Sequence, residues 1–182
     1  MYGGYILKNY IIIISILLIF TVFLIIQRTY SIESNESAMT TSIQQQLEAD
    51  IEISSIEEYD ISKSNSKIVL FEYGNEKGYA VFKVNYVNKK LKIIFVKSNI
   101  LDKNINIIHT NRGNYILLSG NYNEKINYIV VNEGKTKHLF EVALINENFR
   151  NLYITLETIP RSLTDTMLND VLVYNKDNKL VY

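Results

Sequence analysis

The chain has no cysteine and no tryptophan, one proline, seven glycines and two histidines among its 182 residues. Without cysteine there is no disulfide framework, no thiolate nucleophile, no Cys-ligated zinc and no lipidated N-terminal cysteine. His109 and His138 lie far apart in sequence, with no carboxylate at metal-ligand spacing, and both read as structural histidines. No G-x-S-x-G, P-loop, Rossmann glycine pattern or H-E-x-x-H occurs. An excess of charge is missing too: 19 basic residues face 19 acidic ones, and only four of the basic residues are arginines. That balance excludes a strongly basic nucleic-acid binder, while 47% hydrophobic residues exclude a wholly disordered chain. The expectation is therefore no enzyme, no cofactor, no metal and no nucleic-acid partner.

What the chain has in plenty is isoleucine (28), asparagine (21), lysine (15) and tyrosine (14). All four draw on AT-rich codons, which points to a low-GC genome. Clusters of Asn or Lys accordingly carry less chemical weight.

The zero net charge is a sum of unlike blocks. Residues 1–30 hold Lys8 and Arg28 and no acid, residues 31–60 hold eight acids and no base, and residues 61–182 hold 17 basic and 11 acidic residues. Screening over about 10 Å keeps such blocks electrostatically separate.

Residues 11–26 read IIIISILLIFTVFLII, with Ser15 and Thr21 the only polar members. At roughly −0.3 to −0.6 kcal/mol for each strongly apolar residue, membrane insertion is favoured. With Tyr10 the run spans about 25 Å as a helix, the short end of a bilayer crossing. A buried core helix would show a polar face. A signal peptide would show a shorter apolar run and a small-x-small cleavage site, of which Thr29-Tyr30-Ser31 is a poor example. The sequence predicts an uncleaved transmembrane helix over 10–27, with the lipid bilayer as its partner. Lys8 and the α-amino group before the span, against Arg28 after it, favour a cytoplasmic N-terminus at 1–9. The expected location is the cell membrane, single-pass, with the C-terminal domain extracytoplasmic.

Type IV pilins and pseudopilins also open with a short leader, an apolar helix and a β domain. Gly4-Tyr5 would be the cleavage point, but Asn9 stands where that pattern wants a Glu, and no basic residue precedes the cleavage point.

Residues 31–50 are polar and acidic, with Ala38/Met39, Ile43 and Leu47 at helical spacing. Two readings stand: a short helix at about 37–48 followed by a strand from Ile51, or a solvated acidic stalk. Beyond residue 60 the apolar period turns to two. Val69, Phe71 and Tyr73 share one phase, as do Ala80, Phe82, Val84 and Tyr86, and a continuous run follows at Leu91–Val96. Further strands are predicted at 115–120, 126–131, 138–144, 152–158, 170–174 and 179–182, punctuated by Gly, Asn and Asp. The fold class is mainly β (α+β), antiparallel, ending in a β-sandwich of Ig-like type. The expected divisions are an acidic stalk with a short helix and first strand (28–60), an antiparallel β subdomain (61–98), a linker (99–113) and a sandwich module (114–182).

The segments GNYNEKINYIVVNEGKTKHLFEV (120–142), FRNLYITL (149–156) and DVLVYNKDNKLVY (170–182), together with IVLFEYGNEKGYAVFK (68–83), resemble uncharacterised small membrane-anchored proteins of low-GC Gram-positive bacteria. Those proteins end in a "YDxxGxxV"-type hairpin, from which this chain departs with Asn175 for Asp and Asn178 for Gly. The resemblance implies an extracytoplasmic Ig-like sandwich and supplies no functional residues.

Three sets of residues qualify as candidate sites. Glu72, Glu141 and Glu157 would have to converge for hydrolysis, yet each sits on the polar phase of a strand. The NKDN turn at 175–178 lacks the D-x-D-x-D spacing of a calcium loop and reads as a hairpin. The basic cluster Lys89, Lys90, Lys92 and Lys97 is the sharpest charged feature. It suits contact with phospholipid headgroups or an anionic wall polymer, against a structural reading in which Lys protects an edge strand. The expected function is a non-enzymatic binding, sensing or envelope-assembly role, with another envelope protein as a partner; the alternatives are a minor pseudopilin or bitopic scaffold, and an uncharacterised hydrolase.

Overall fold

The computed structural model describes residues 3–47, 51–101, 103–122, 124–149, 151–163 and 171–181. Helix α1 (Gly3–Thr29) is about 40 Å long and contains an apolar window, Tyr10–Thr29, that none of the rest of the chain buries. The window is long and apolar enough to cross a membrane. Both of its threonine hydroxyls are satisfied within the helix: Thr21 donates to the Leu17 carbonyl at 2.8 Å and Thr29 to the Ile25 carbonyl at 2.7 Å. A helix in hydrocarbon needs that arrangement, because no water is there to serve the polar groups.

Helix α2 (Glu36–Leu47) starts where the sequence offers a cap. The Asn35 side chain accepts the Ala38 N–H at 2.9 Å, and Glu36 places a carboxylate in the first turn, against the positive end of the helix dipole. Its thin apolar stripe buries Met39 and Ile43 against a four-stranded antiparallel sheet. That sheet runs β1 (Ile53–Asp60), β2 (Ser66–Tyr73), β3 (Glu76–Val84) and β4 (Leu91–Lys97), in that order. A six-stranded sheet follows, from β5 (Asn104–His109), β6 (Asn114–Ser119), β7 (Ile126–Glu133), β8 (Thr136–Leu144), β9 (Leu152–Thr155) and β10 (Val171–Asn175), in the order β10-β7-β8-β9-β6-β5.

Strand β8 splits that second sheet into two layers. Its first half pairs with β7, from Glu133↔Thr136 to Tyr128↔Glu141, and its last residues pair with β9, from Val142↔Thr155 to Leu144↔Tyr153. The chain thus stacks four layers around three cores: α2, then β1–β4, then β5/β6/β9, then β7/β10 with the start of β8. The alternation along β6 shows the logic, since Tyr115 and Leu117 enter the core shared with β1–β4 while Ile116 and Leu118 enter the core under β7 and β10. Along β2 and β3 the same holds: Val69, Phe71, Ala80 and Phe82 face α2, and Ile68, Leu70, Tyr79 and Val81 face the second sheet. Strands buried on both faces carry continuous apolar runs rather than clean alternation. Full burial of each aromatic here contributes about 1.5–3 kcal/mol.

The mainly β, α+β fold with a sandwich is the one expected. Three local expectations are corrected. Residues 99–113 are no linker: they carry β5, whose Ile108 joins the core common to both sheets. Residues 28–60 do not form a free stalk, because Ile32 pairs with Leu91 on the edge of β4 and α2 and β1 belong to the first sheet's packing. The strand expected to continue to 158 ends at Thr155. The ends of three expected segments, at residues 48, 170 and 182, lie outside the described residues.

Candidate functional site

The strand directions give the domain two ends. Strand β3 runs about 30 Å from the β2–β3 turn to the β3–β4 hairpin, and the hairpin end meets α1. Asn88 Nδ2 in that hairpin lies 3.5 Å from Gln27 Oε1 in the last turn of α1, and Lys90 Nζ lies 2.9 Å from Glu33. The Ile32–Leu91 pair completes the junction. The hairpin tip is therefore level with the end of the apolar window.

Asparagines shape this tip. Asn85 Oδ1 accepts the Val87 N–H at 2.9 Å, Asn88 Oδ1 accepts the Lys90 N–H at 3.0 Å, and Lys89 takes a left-handed φ of 59°. The outcome is an ordered turn that holds Tyr86 and Val87 out to solvent, 53% and 88% exposed. The Lys89 ammonium lies 5.8 Å from the Tyr86 ring centroid, a cation–π distance.

The predicted lysine cluster is divided by this geometry. Lys89, Lys90 and Lys92 stand at the hairpin end, with Lys83 across from Lys92 on β3. Lys97 stands at the other end of β4, opposite Tyr79. Sequence proximity overstated the cluster because an extended strand separates residues by about 3.3 Å each. Two loops that sequence reading passed over join this end instead. The β1–β2 loop and the β5–β6 loop are tied by reciprocal bonds, Asn65 N–H to Asn111 Oδ1 at 2.8 Å and Asn111 N–H to Asn65 Oδ1 at 3.0 Å. The signal available in sequence was the absence of any acid in these three turns, ISKSN, NYVNKK and TNRG.

No protein-family model, curated protein or solved structure matches the chain.

At the far end, a cleft of about 320 Å³ opens among Asn75, Lys77, Asn99, Ile100, Asn148 and Asn151. Several of its polar groups are committed to structure. Lys77 Nζ pairs with Glu72 at 2.9 Å, donates to the Asn148 carbonyl at 2.8 Å and sits 4.9 Å from the Phe149 ring centroid. Asn99 Oδ1 accepts the Leu101 N–H at 2.8 Å. Beside the cleft, the Tyr73 hydroxyl lies between two acceptors, the Glu76 carboxylate and the Ser98 carbonyl, which share its single proton. Burial, followed by the Glu76 carboxylate, pushes its phenol up to about 12. The Lys77 hydrogen bond holds the Glu72 carboxyl below the usual range.

The remaining candidates are dispersed. Glu72 lies in the first sheet, Glu141 on β8 of the second and Glu157 in the bend that follows β9, and the structure does not bring the three together. His109 Nδ1 meets Asn114 Oδ1 at 2.9 Å, while His138 Nε2 meets Glu133 at 2.8 Å and its ring stacks on Phe140. Among the described residues no group of three or more His, Asp or Glu could hold a metal ion. Asn175 is buried in the final hairpin: its Oδ1 accepts the N–H groups of Asp177 and Lys179, and its Nδ2 donates to Glu124. The NKDN segment is a turn in this structure, with Asn178 at a left-handed φ of 59°.

Proposed function

We propose that the protein is a single-pass, signal-anchored membrane protein that presents its β domain on the extracytoplasmic face of the cell membrane, in a non-enzymatic binding, sensing or envelope-assembly role. One observation carries the reading: an apolar helix with no protein cover leads, within the few residues 30–35, into a domain fastened at its end. A bilayer would cover the apolar surface that the domain leaves bare. Lys8 and the α-amino group before the span, against Arg28 alone after it, support the outward orientation. The end bearing the Asn-lined cleft then points away from the bilayer, toward another envelope protein or an anionic wall polymer.

The absence of cysteine makes the test clean. A single Asn75→Cys substitution at the outer turn is modified in intact cells by a membrane-impermeant maleimide. Modification only after permeabilisation overturns the orientation. The mass of the membrane-extracted chain tests the pseudopilin alternative, which requires loss of residues 1–4.

A further inference from the structure

We propose that the end of the β domain facing the bilayer is a lipid-docking surface. In it the β1–β2 loop, the β3–β4 hairpin and the β5–β6 loop together contact anionic phospholipid headgroups. The inference rests on the membrane-anchored reading and deepens it by naming the partner of this surface.

Three observations lead there. First, position: the hairpin touches the last turn of α1 through Asn88 and Gln27, so a bilayer that holds Tyr10–Thr29 has its headgroups at the level of this tip. Second, contiguity: the three turns are bound into one surface. Asn111 bridges to Asn65 and reaches the Tyr86 hydroxyl at 3.5 Å, and Arg112 Nε donates to the Lys63 carbonyl at 3.4 Å. Third, chemistry: the three turns carry Lys63, Lys89, Lys90 and Arg112 and no carboxylate, and Lys63, Lys89 and Arg112 are exposed. The nearest acids are accounted for in part: Glu33 pairs with Lys90, and Glu58 with Lys67, while Asp60 stands exposed at the end of β1.

Between the cations stand Tyr86 and Val87, an aromatic and an aliphatic group thrust outward by an ordered turn. An aromatic flanked by basic residues suits the interfacial zone, where the ring lies at headgroup depth and the cations meet phosphate. Docking by three loops drawn from both sheets would fix the tilt of the whole domain.

The experiment uses the full chain in lipid vesicles and exploits the absence of tryptophan. Val87→Trp, Leu17→Trp and Asn75→Trp are made singly. Quenching by lipids brominated near the headgroup or deep in the chains is compared in phosphatidylcholine vesicles with and without phosphatidylglycerol. Leu17→Trp reports insertion of α1 and must be quenched by the deep bromines; if it is not, the anchored reading itself fails. With that satisfied, Val87→Trp is expected to be quenched by the shallow bromines in anionic vesicles, and Asn75→Trp to be unaffected. Adding Lys63→Glu, Lys89→Glu and Arg112→Glu to the Val87→Trp chain is expected to reduce its quenching to the Asn75→Trp level. Val87→Trp emission as in water, with Leu17→Trp inserted, overturns the docking. Quenching equal in the two lipid compositions and indifferent to the charge reversals overturns the headgroup assignment.

Discussion

Ile32 and Leu91 exchange both main-chain hydrogen bonds: the Ile32 N–H reaches the Leu91 carbonyl at 3.2 Å, and the Leu91 N–H reaches the Ile32 carbonyl at 2.7 Å. The residue that leaves the apolar helix thus becomes one more rung on the edge strand β4. A segment that reads in sequence as a spacer instead clamps the domain to its anchor. Ile32→Pro removes the N–H of this rung at a cost of about 0.5–1.5 kcal/mol. The expected result is faster tryptic cleavage at the exposed Arg28 in lipid nanodiscs, with the circular dichroism of the β domain unchanged. Unchanged cleavage would show that the rung does not hold the junction.

Gly78 on β3 lies opposite Phe71 on β2, and the ring covers the place where a side chain would be. A Cβ there would stand 2.3 Å from Phe71 Cζ and 2.6 Å from the Lys97 carbonyl oxygen. Gly78→Ala is therefore expected to destabilise by about 1–3 kcal/mol or more, as overpacking does. Urea unfolding of the detergent-solubilised chain measures it. A neutral result would mean that Phe71 does not occupy this position.

Ile43 is fully buried between α2 and the first sheet. Ile43→Ala should cost about 2–5 kcal/mol. Thr41→Ala, on the solvent side of the same helix, should have little effect. Equal effects of the two substitutions in the same unfolding assay would detach α2 from the core.

Tyr79, buried in the core between the two sheets, accepts a hydrogen bond from Asn106 Nδ2 at 3.0 Å. Burial pushes its phenol, like that of Tyr73, up to about 12 from an ordinary 10.0. A raised phenol favours the folded, neutral form. Its stabilisation is complete below the unfolded value and is lost as pH climbs from about 10 to about 12. Tyrosinate absorbance, unobscured by tryptophan, should show a fraction of the 14 tyrosines titrating late and together with unfolding. Ordinary titration of all of them with the fold intact would contradict the burial.

The long apolar run was legible from its unbroken apolarity, and the helix at 36–47 and most strands from a clear period. Strand β1 was only half legible. Its Ile53, Ile56 and Tyr59 recur every three residues, a helix-like spacing: the register shift between Ile53 and Ser55 brings Ile53 and Ile56 to the face against α2, while Tyr59 packs into the core on the other face. Strand β5 was hidden by its alternating asparagines, which codon bias made easy to discount. The hairpin's position at the helix end depends on the Ile32–Leu91 pairing, a long-range contact for which no local pattern exists. Lys63 and Arg112 were invisible for the same reason: only the Asn65–Asn111 link places them beside Lys89.

The most direct test of a domain fastened to its anchor is the distance between them. Spin labels on Arg28→Cys, at the end of α1, and Leu139→Cys, exposed on β8, are introduced into the otherwise cysteine-free chain in nanodiscs. Double electron–electron resonance should give a single narrow distance distribution, which Ile32→Pro broadens. A broad distribution in the unmodified background would contradict the clamp and restore a flexible stalk.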